Sequence, residues 1–382
     1  MKKNLFMTAA AIAALLTGCS TDEEIANIET SAKNAIGFNI VSNGAETKAT
    51  IYNNGSTNFD FDVFAFDGSG NYFMGKDGGH GYSAKEDNSI THDGVQITYN
   101  NQKWDYMNPT ELAYWPTNSL DFYAVSPTNF DVQSFFMLYS WSIKSNQQTI
   151  SYTTTNEFHT NLKDLDVMYA VAKGQTKDTK NGAVQLNFKH ILSQVLFKAK
   201  VQYESMTVTI KEMKIKNLAL GGTFTFPSAD VEPTLTNWTS TKKHLTTTIK
   251  NLNTTNVVAK SVNTPVDIIG INNPMLVIPQ TLTAWDTSIS KEDADKDENS
   301  YQSYLEVGCK IEQNGAIAYE GTLYIPFGTE WQPGKRYTYT LIFGGGYDKN
   351  GNPILTPITF EPSVENWVDA SGYTEQVPAY TN

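Results

Sequence analysis

The sequence predicts an all-β protein built as two tandem β-sandwich domains with little helix. Three observations carry that expectation. Short stretches of alternating apolar and polar residues recur along the chain, separated by Gly, Pro and Asn. Stretches of helical period are scarce. The chain has 382 residues, enough for two ordinary cores.

The N-terminus comes first. Lys2 and Lys3 precede an apolar run from Leu5 to Leu16, closed by Leu16-Thr-Gly-Cys19. Small residues before the cut admit a signal peptidase, and a cysteine after it takes a diacylglycerol. The run is about 12 residues, whereas a membrane span needs roughly 20. Residues 1–18 are therefore expected to be a lipoprotein signal peptide, with Cys19 the lipidated residue and the outer-membrane lipid its partner. The acidic run Thr21-Asp-Glu-Glu24 fits display at the cell surface, and equally a plain solvated linker.

Residues 20–34 are polar and read as a tether. Ile36, Phe38 and Ile40 then alternate with Gly37 and Asn39, giving one strand with an apolar face before the Asn43-Gly44 turn. Phe59–Phe66 alternates strongly and ends at Asp67-Gly-Ser-Gly70. Similar strands are expected at 120–125, 166–171, 195–201, 208–215, 275–278, 305–307, 321–325 and 337–343. Asn350-Gly351 supplies the positive φ that a tight hairpin requires. A turn or two of helix is expected at Lys189–Gln194 and at Asn161–Leu165, and a charged loop at 290–300. A boundary near Tyr203–Ser205 divides the chain into domains 49–204 and 205–382.

Composition removes several function classes. The net charge is -12 and Arg336 is the single arginine, so no basic patch exists for nucleic acid. With Cys19 lipidated, Cys309 is left alone in a strand-like alternation and reads as a small buried hydrophobe. The five histidines lack zinc spacing, and His190, before an apolar strand, reads as a packed, hydrogen-bonded side chain. Asp293-Ala-Asp-Lys-Asp297 imitates a calcium loop, but Glu298 stands where glycine is needed and Tyr304 where a bidentate Glu should close the shell. Asp348-Lys-Asn-Gly-Asn352 fails similarly at Pro353. No Gly-x-Ser-x-Gly elbow occurs, and no carboxylate pair stands out. Trp104, Trp115, Trp141, Trp238, Trp285 and Trp331 offer either a sugar platform or core packing, and packing is the favoured reading. No catalytic residue, metal or cofactor is expected.

Five segments in order carry a resemblance. They are Leu112-Ala-Tyr-Trp-Pro116 with Leu120–Pro127, Leu186–Phe197, Leu276-Val-Ile-Pro-Gln280, Trp331–Tyr337 and Ile358–Trp367. Behind a lipobox, this set resembles the fimbrillin family, the lipoprotein-derived subunits of type V pili, over roughly residues 35 to 370. The resemblance implies two transthyretin-like, Greek-key sandwiches and a non-enzymatic structural role. It further implies export to the outer membrane, trimming by a trypsin-like protease, and loss of the first strand. A donor strand from a neighbouring pilin subunit then fills the groove, head to tail, by strand addition.

On this sequence, residues 19–48 form the propeptide, and Ile36, Phe38 and Ile40 the removable strand. Lys48 marks the cut, a departure from the arginine of the best-known pattern. The tail 368–382 offers Tyr373, Val377 and Tyr380 for a donor strand, although Pro378 removes one backbone donor. A stalk position is favoured over a tip, and an anchor least. A host glycan or protein is a further partner in adhesion. The alternative is a monomeric, surface-exposed lipoprotein that binds glycans.

Overall fold

The computed structural model describes residues 34–40, 60–77, 93–100, 103–128, 139–153, 166–242, 245–248, 256–271, 274–296, 301–355 and 358–367. The first strands are β1 (Gly37–Ile40), β2 (Phe61–Phe66), β3 (Tyr72–Met74), β4 (Val95–Asn100), β5 (Lys103–Tyr106), β6 (Leu120–Ser126), β7 (Tyr139–Lys144), β8 (Gln147–Thr153) and β9 (Met168–Gln175). There follow β10 (Ala183–Leu186), β11 (Lys189–His190), β12 (Ser193–Val201), β13 (Met206–Leu218), β14 (Gly221–Thr225), β15 (Trp238–Lys242), β16 (Leu245–Thr248), β17 (Val257–Ala259) and β18 (Val266–Ile269). The last are β19 (Met275–Val277), β20 (Gln280–Ala284), β21 (Gln302–Gln313), β22 (Ala316–Pro326), β23 (Thr329–Trp331), β24 (Lys335–Phe343), β25 (Gly345–Tyr347), β26 (Pro353–Leu355) and β27 (Thr359–Asn366). A one-turn α-helix, α1 (Lys291–Ala294), lies between β20 and β21, and short 3-10 turns lie at Pro109–Glu111, Thr179–Gly182 and Leu235–Asn237.

The first sandwich has three layers. Its middle is a seven-stranded sheet, ordered β11-β9-β6-β2-β4-β5 with β3 beside β2. Alternation along β2 decides the layering. Phe61, Val63 and Ala65 face one core, which also holds Ile36, Phe38, Val184 and Leu186 from β1 and β10. Phe64 and Phe66 face a second core with Trp141, Ile150, Phe224 and Trp238 from the four-stranded sheet β15-β14-β8-β7. Both faces of β2 are covered, so every residue of it is buried.

The second sandwich packs the sheet β18-β12-β24-β27 against the long β13-β21-β22 ladder. The shared core runs from Val195, Phe197 and Leu341 across to Leu305 and Val307. Strands β12 and β24 pair in parallel from Gln194↔Arg336 to Val201↔Phe343.

Two expectations meet a different structure. Residues 189–194 form β11 and the start of β12 instead of a helix. All six are buried, and the segment pairs with β9 and then with β24, so no solvated helix face is available. The charged loop at 290–300 begins with α1, capped by the Ser290 side chain, which accepts from Asp293 N–H. Strand pairing also crosses the 204/205 line. β12 joins the second sandwich, whereas β14 and β15 return to pair with β8 and each other in the first. The expected turn at Asn350-Gly351 is present: Gly351 has φ +85° between β25 and β26, and a Cβ there would collide with Thr287 O.

Candidate functional site

The first strand occupies a seat with two walls. One wall is β10, which pairs with β1 in parallel over Gly37↔Ala183, Phe38↔Val184, Asn39↔Gln185 and Ile40↔Leu186. The other is the segment Ala113–Trp115, bridged antiparallel through Ala35↔Tyr114. Ile36 N–H donates to Ala113 O at 2.9 Å, and Trp115 N–H donates to Asn34 O at 2.8 Å. The Tyr106 hydroxyl donates to Ile36 O at 3.0 Å. Burial raises the pKa of that hydroxyl, so it stays protonated and serves as a donor.

The floor is aromatic. Phe38 meets Phe61 and Phe122 edge-on at 6.2 Å and Tyr106 at 6.0 Å. Ile36 is 1% exposed and Phe38 4%, whereas Ile40 is only partly buried. The expected apolar face therefore exists, anchored mainly by its first two members.

Removing β1 would uncover apolar floor and leave backbone donors and acceptors on both walls without partners. Each unpaired buried group costs about 1–3 kcal/mol. A second extended strand answers both deficits at once, because it brings N–H and C=O groups along each edge.

Cys19, Lys48, Tyr373, Val377 and Tyr380 lie outside the described residues. The described chain ends at Trp367, which is buried. Its N–H donates to Gly334 O at 2.9 Å, and its indole stacks on His190 at 4.0 Å. His190 Nδ1 lies 3.0 Å from the Asp166 carboxylate. Burial raises the Asp166 pKa, against the opposing pull of His190. His190 is thus a packed, paired side chain, as its sequence context suggests.

The six tryptophans considered as a sugar platform are not exposed: five are buried, and Trp104 packs on Phe61 and Tyr99. The Asp348 carboxylate accepts from the backbone of Asn350 and Asn352 and from the Asn352 side chain, at 2.8 to 3.0 Å. Asp295 accepts from the Tyr304 hydroxyl and from Asn217. Both calcium-like loops spend these carboxylates on internal hydrogen bonds. The sequence reading missed Tyr106, Trp115 and β10 as parts of the seat. The Leu112-Ala-Tyr-Trp-Pro116 motif was the available signal.

The architecture defines a class: an all-β protein of stacked sheets whose N-terminal strand is held by side chains and hydrogen bonds distant in sequence. The chain belongs to the fimbrillin-like family, whose profile matches residues 47–367. That match begins after β1 and ends at Trp367. A fimbrial protein from Bacteroides vulgatus is similar in fold, with TM-score 0.51 and 15% identity over 87% of this chain and 99% of its own. The tip fimbrial protein Mfa3 of Porphyromonas gingivalis, at TM-score 0.39 and 8% identity, aligns over 81% of this chain and 94% of its own. No curated protein matches the sequence.

Proposed function

We propose that this protein is a structural subunit of a cell-surface pilus, exported as a lipoprotein on Cys19 and trimmed after Lys48. Family membership and the fimbrial neighbour support the pilus-type subunit. The seat of β1 supports the assembly route. A four-residue strand fills a slot between two walls, and its sequence link to β2 contains Lys48. One cut there separates β1 covalently from the rest of the chain. A strand of a neighbouring copy then pairs with β10 and covers Phe61, Tyr106 and Phe122. Head-to-tail contacts of this kind do not close, so they propagate. A tail with apolar Tyr373, Val377 and Tyr380 suits a stalk position.

Low-dose trypsin on the lipid-free precursor tests this. The expected result is one preferred cut after Lys48, followed by SDS-resistant ladders. A protein that is cut cleanly, loses β1 and remains monomeric refutes the stalk role.

A further inference from the structure

We propose that Trp115 is a positioning residue that keeps the two walls of the β1 seat one strand apart. The inference rests on the reading above, that β1 leaves and another strand takes its place. Trp115 belongs to one wall, where its backbone N–H binds Asn34 O. Its indole Nε1–H donates to Gly182 O at 2.9 Å, and Gly182 directly precedes Ala183, the first residue of β10. Trp115 therefore reaches from one wall to the turn that launches the other.

Among the described hydrogen bonds, no other joins the two walls directly without passing through β1. The β1–β10 ladder, the Ile36 to Ala113 bond and the Tyr106 to Ile36 bond all disappear when β1 leaves. The indole bond does not involve β1. Nor does the packing of the Trp115 ring on Phe122, edge-on at 5.8 Å. Gly182 suits the arrangement: it holds φ +81°, which favours glycine, and a Cβ there would lie 3.4 Å from the indole nitrogen. An emptied seat keeps this tie, so an incoming strand finds its walls in place and loses less affinity to ordering them.

The test separates tie from general packing. The full lipid-free chain is cut with trypsin, and a labelled peptide of residues 34–42 is offered in exchange for the freed fragment. Uptake is read by fluorescence anisotropy. Trp115→Phe keeps a ring and removes the indole N–H. It should weaken peptide uptake about ten-fold, while the uncut protein, whose β1 is tethered, should melt only modestly lower, the cost of leaving the Gly182 carbonyl without its donor. Gly182→Ala strains the turn that carries the accepting carbonyl, so it should weaken uptake as well and also lower the melting temperature of both forms. Tyr106→Phe, which removes the hydroxyl that donates to Ile36 O and leaves the indole tie in place, should weaken the hold on β1 in cut and uncut protein alike. Wild-type uptake by Trp115→Phe overturns the inference. So does equal damage to its cut and uncut forms. If the cut wild type takes up no peptide, the strand-exchange reading fails and the tie fails with it.

Discussion

Replacing Phe38 with alanine tests the seat most directly. The ring is 4% exposed and packed among Phe61, Tyr106 and Phe122. Truncating a buried Phe costs about 3–5 kcal/mol. The lower end applies here, because a four-residue strand on one face of a sheet can shift to relieve part of the cavity. About 3 kcal/mol corresponds to a roughly 150-fold change in the ratio of seated to unseated β1. Ile36 still holds the strand, since its burial contributes about 2 kcal/mol. The loss should therefore appear as local opening and leave the fold intact. Native-state hydrogen exchange reads it. Amides of Ala183–Leu186 that pair with β1 should exchange about 100-fold faster in Phe38→Ala. Amides of β12 and β24, in the second sandwich, should keep wild-type protection. Asn39→Ala, at an exposed position of the same strand, is the control and should change neither. Unchanged exchange across Ala183–Leu186 would show that β10 does not depend on β1, and the seat would lose its structural basis.

Cys309 and Asp348 give two further expectations. Burial pushes the Cys309 thiol up to about 12, so a thiol reagent at pH 8 should label it only after denaturation. Prompt labelling of native protein would contradict that burial. Hydrogen bonds from Asn352 hold the Asp348 carboxyl below its ordinary range. A depressed carboxylate stabilises the fold above its unfolded pKa, and that contribution fades as pH falls through the folded value. Asp348→Ala should thus lower the melting temperature at pH 7 and converge on wild type in strong acid. A constant difference across that range would assign the effect to packing.

Local alternation made the strands legible, because each side chain on a pleat declares its face. Phe61 to Phe66 shows both the power and the limit of that signal. Its period marked a strand, yet Phe64 and Phe66 point to one core and Val63 and Ala65 to another. Alternation says nothing about how many layers cover a sheet. The partner of β1 was equally hidden. Gly37 pairs with Ala183 in parallel, and nothing near either residue names the other. Pairing across residue 205 was hidden for the same reason. A turn between β12 and β13 looks like a domain edge in sequence, whereas β14 and β15 return to the first sandwich through pairing with β8. The turn or two of helix expected at Lys189–Gln194 is strand instead, because all six residues are buried between β9 and β24.

If Cys19 carries a lipid as proposed, the position of basic residues around β1 bears on what that lipid does. Only two lysines flank the strand closely: Lys33 before Asn34, and Lys48, the single basic residue between Ile40 and Asp60. A trypsin-like protease acting at Lys33 would free the chain from that lipid and leave β1 in its seat. Acting at Lys48, it severs lipid and strand together. The two sites thus separate release from the membrane and opening of the seat, which a single observation of shed protein would confuse. Lys48→Gln should leave shedding through Lys33 possible while abolishing SDS-resistant ladders. Lys33→Gln should leave the ladders unchanged. Ladders that persist in Lys48→Gln would mean that polymerisation does not need the seat emptied by a cut at that residue. The lipid would then be an anchor whose removal is unrelated to assembly. Ladders lost only in Lys48→Gln make the same peptide carry both the delivery signal and the strand that blocks premature assembly.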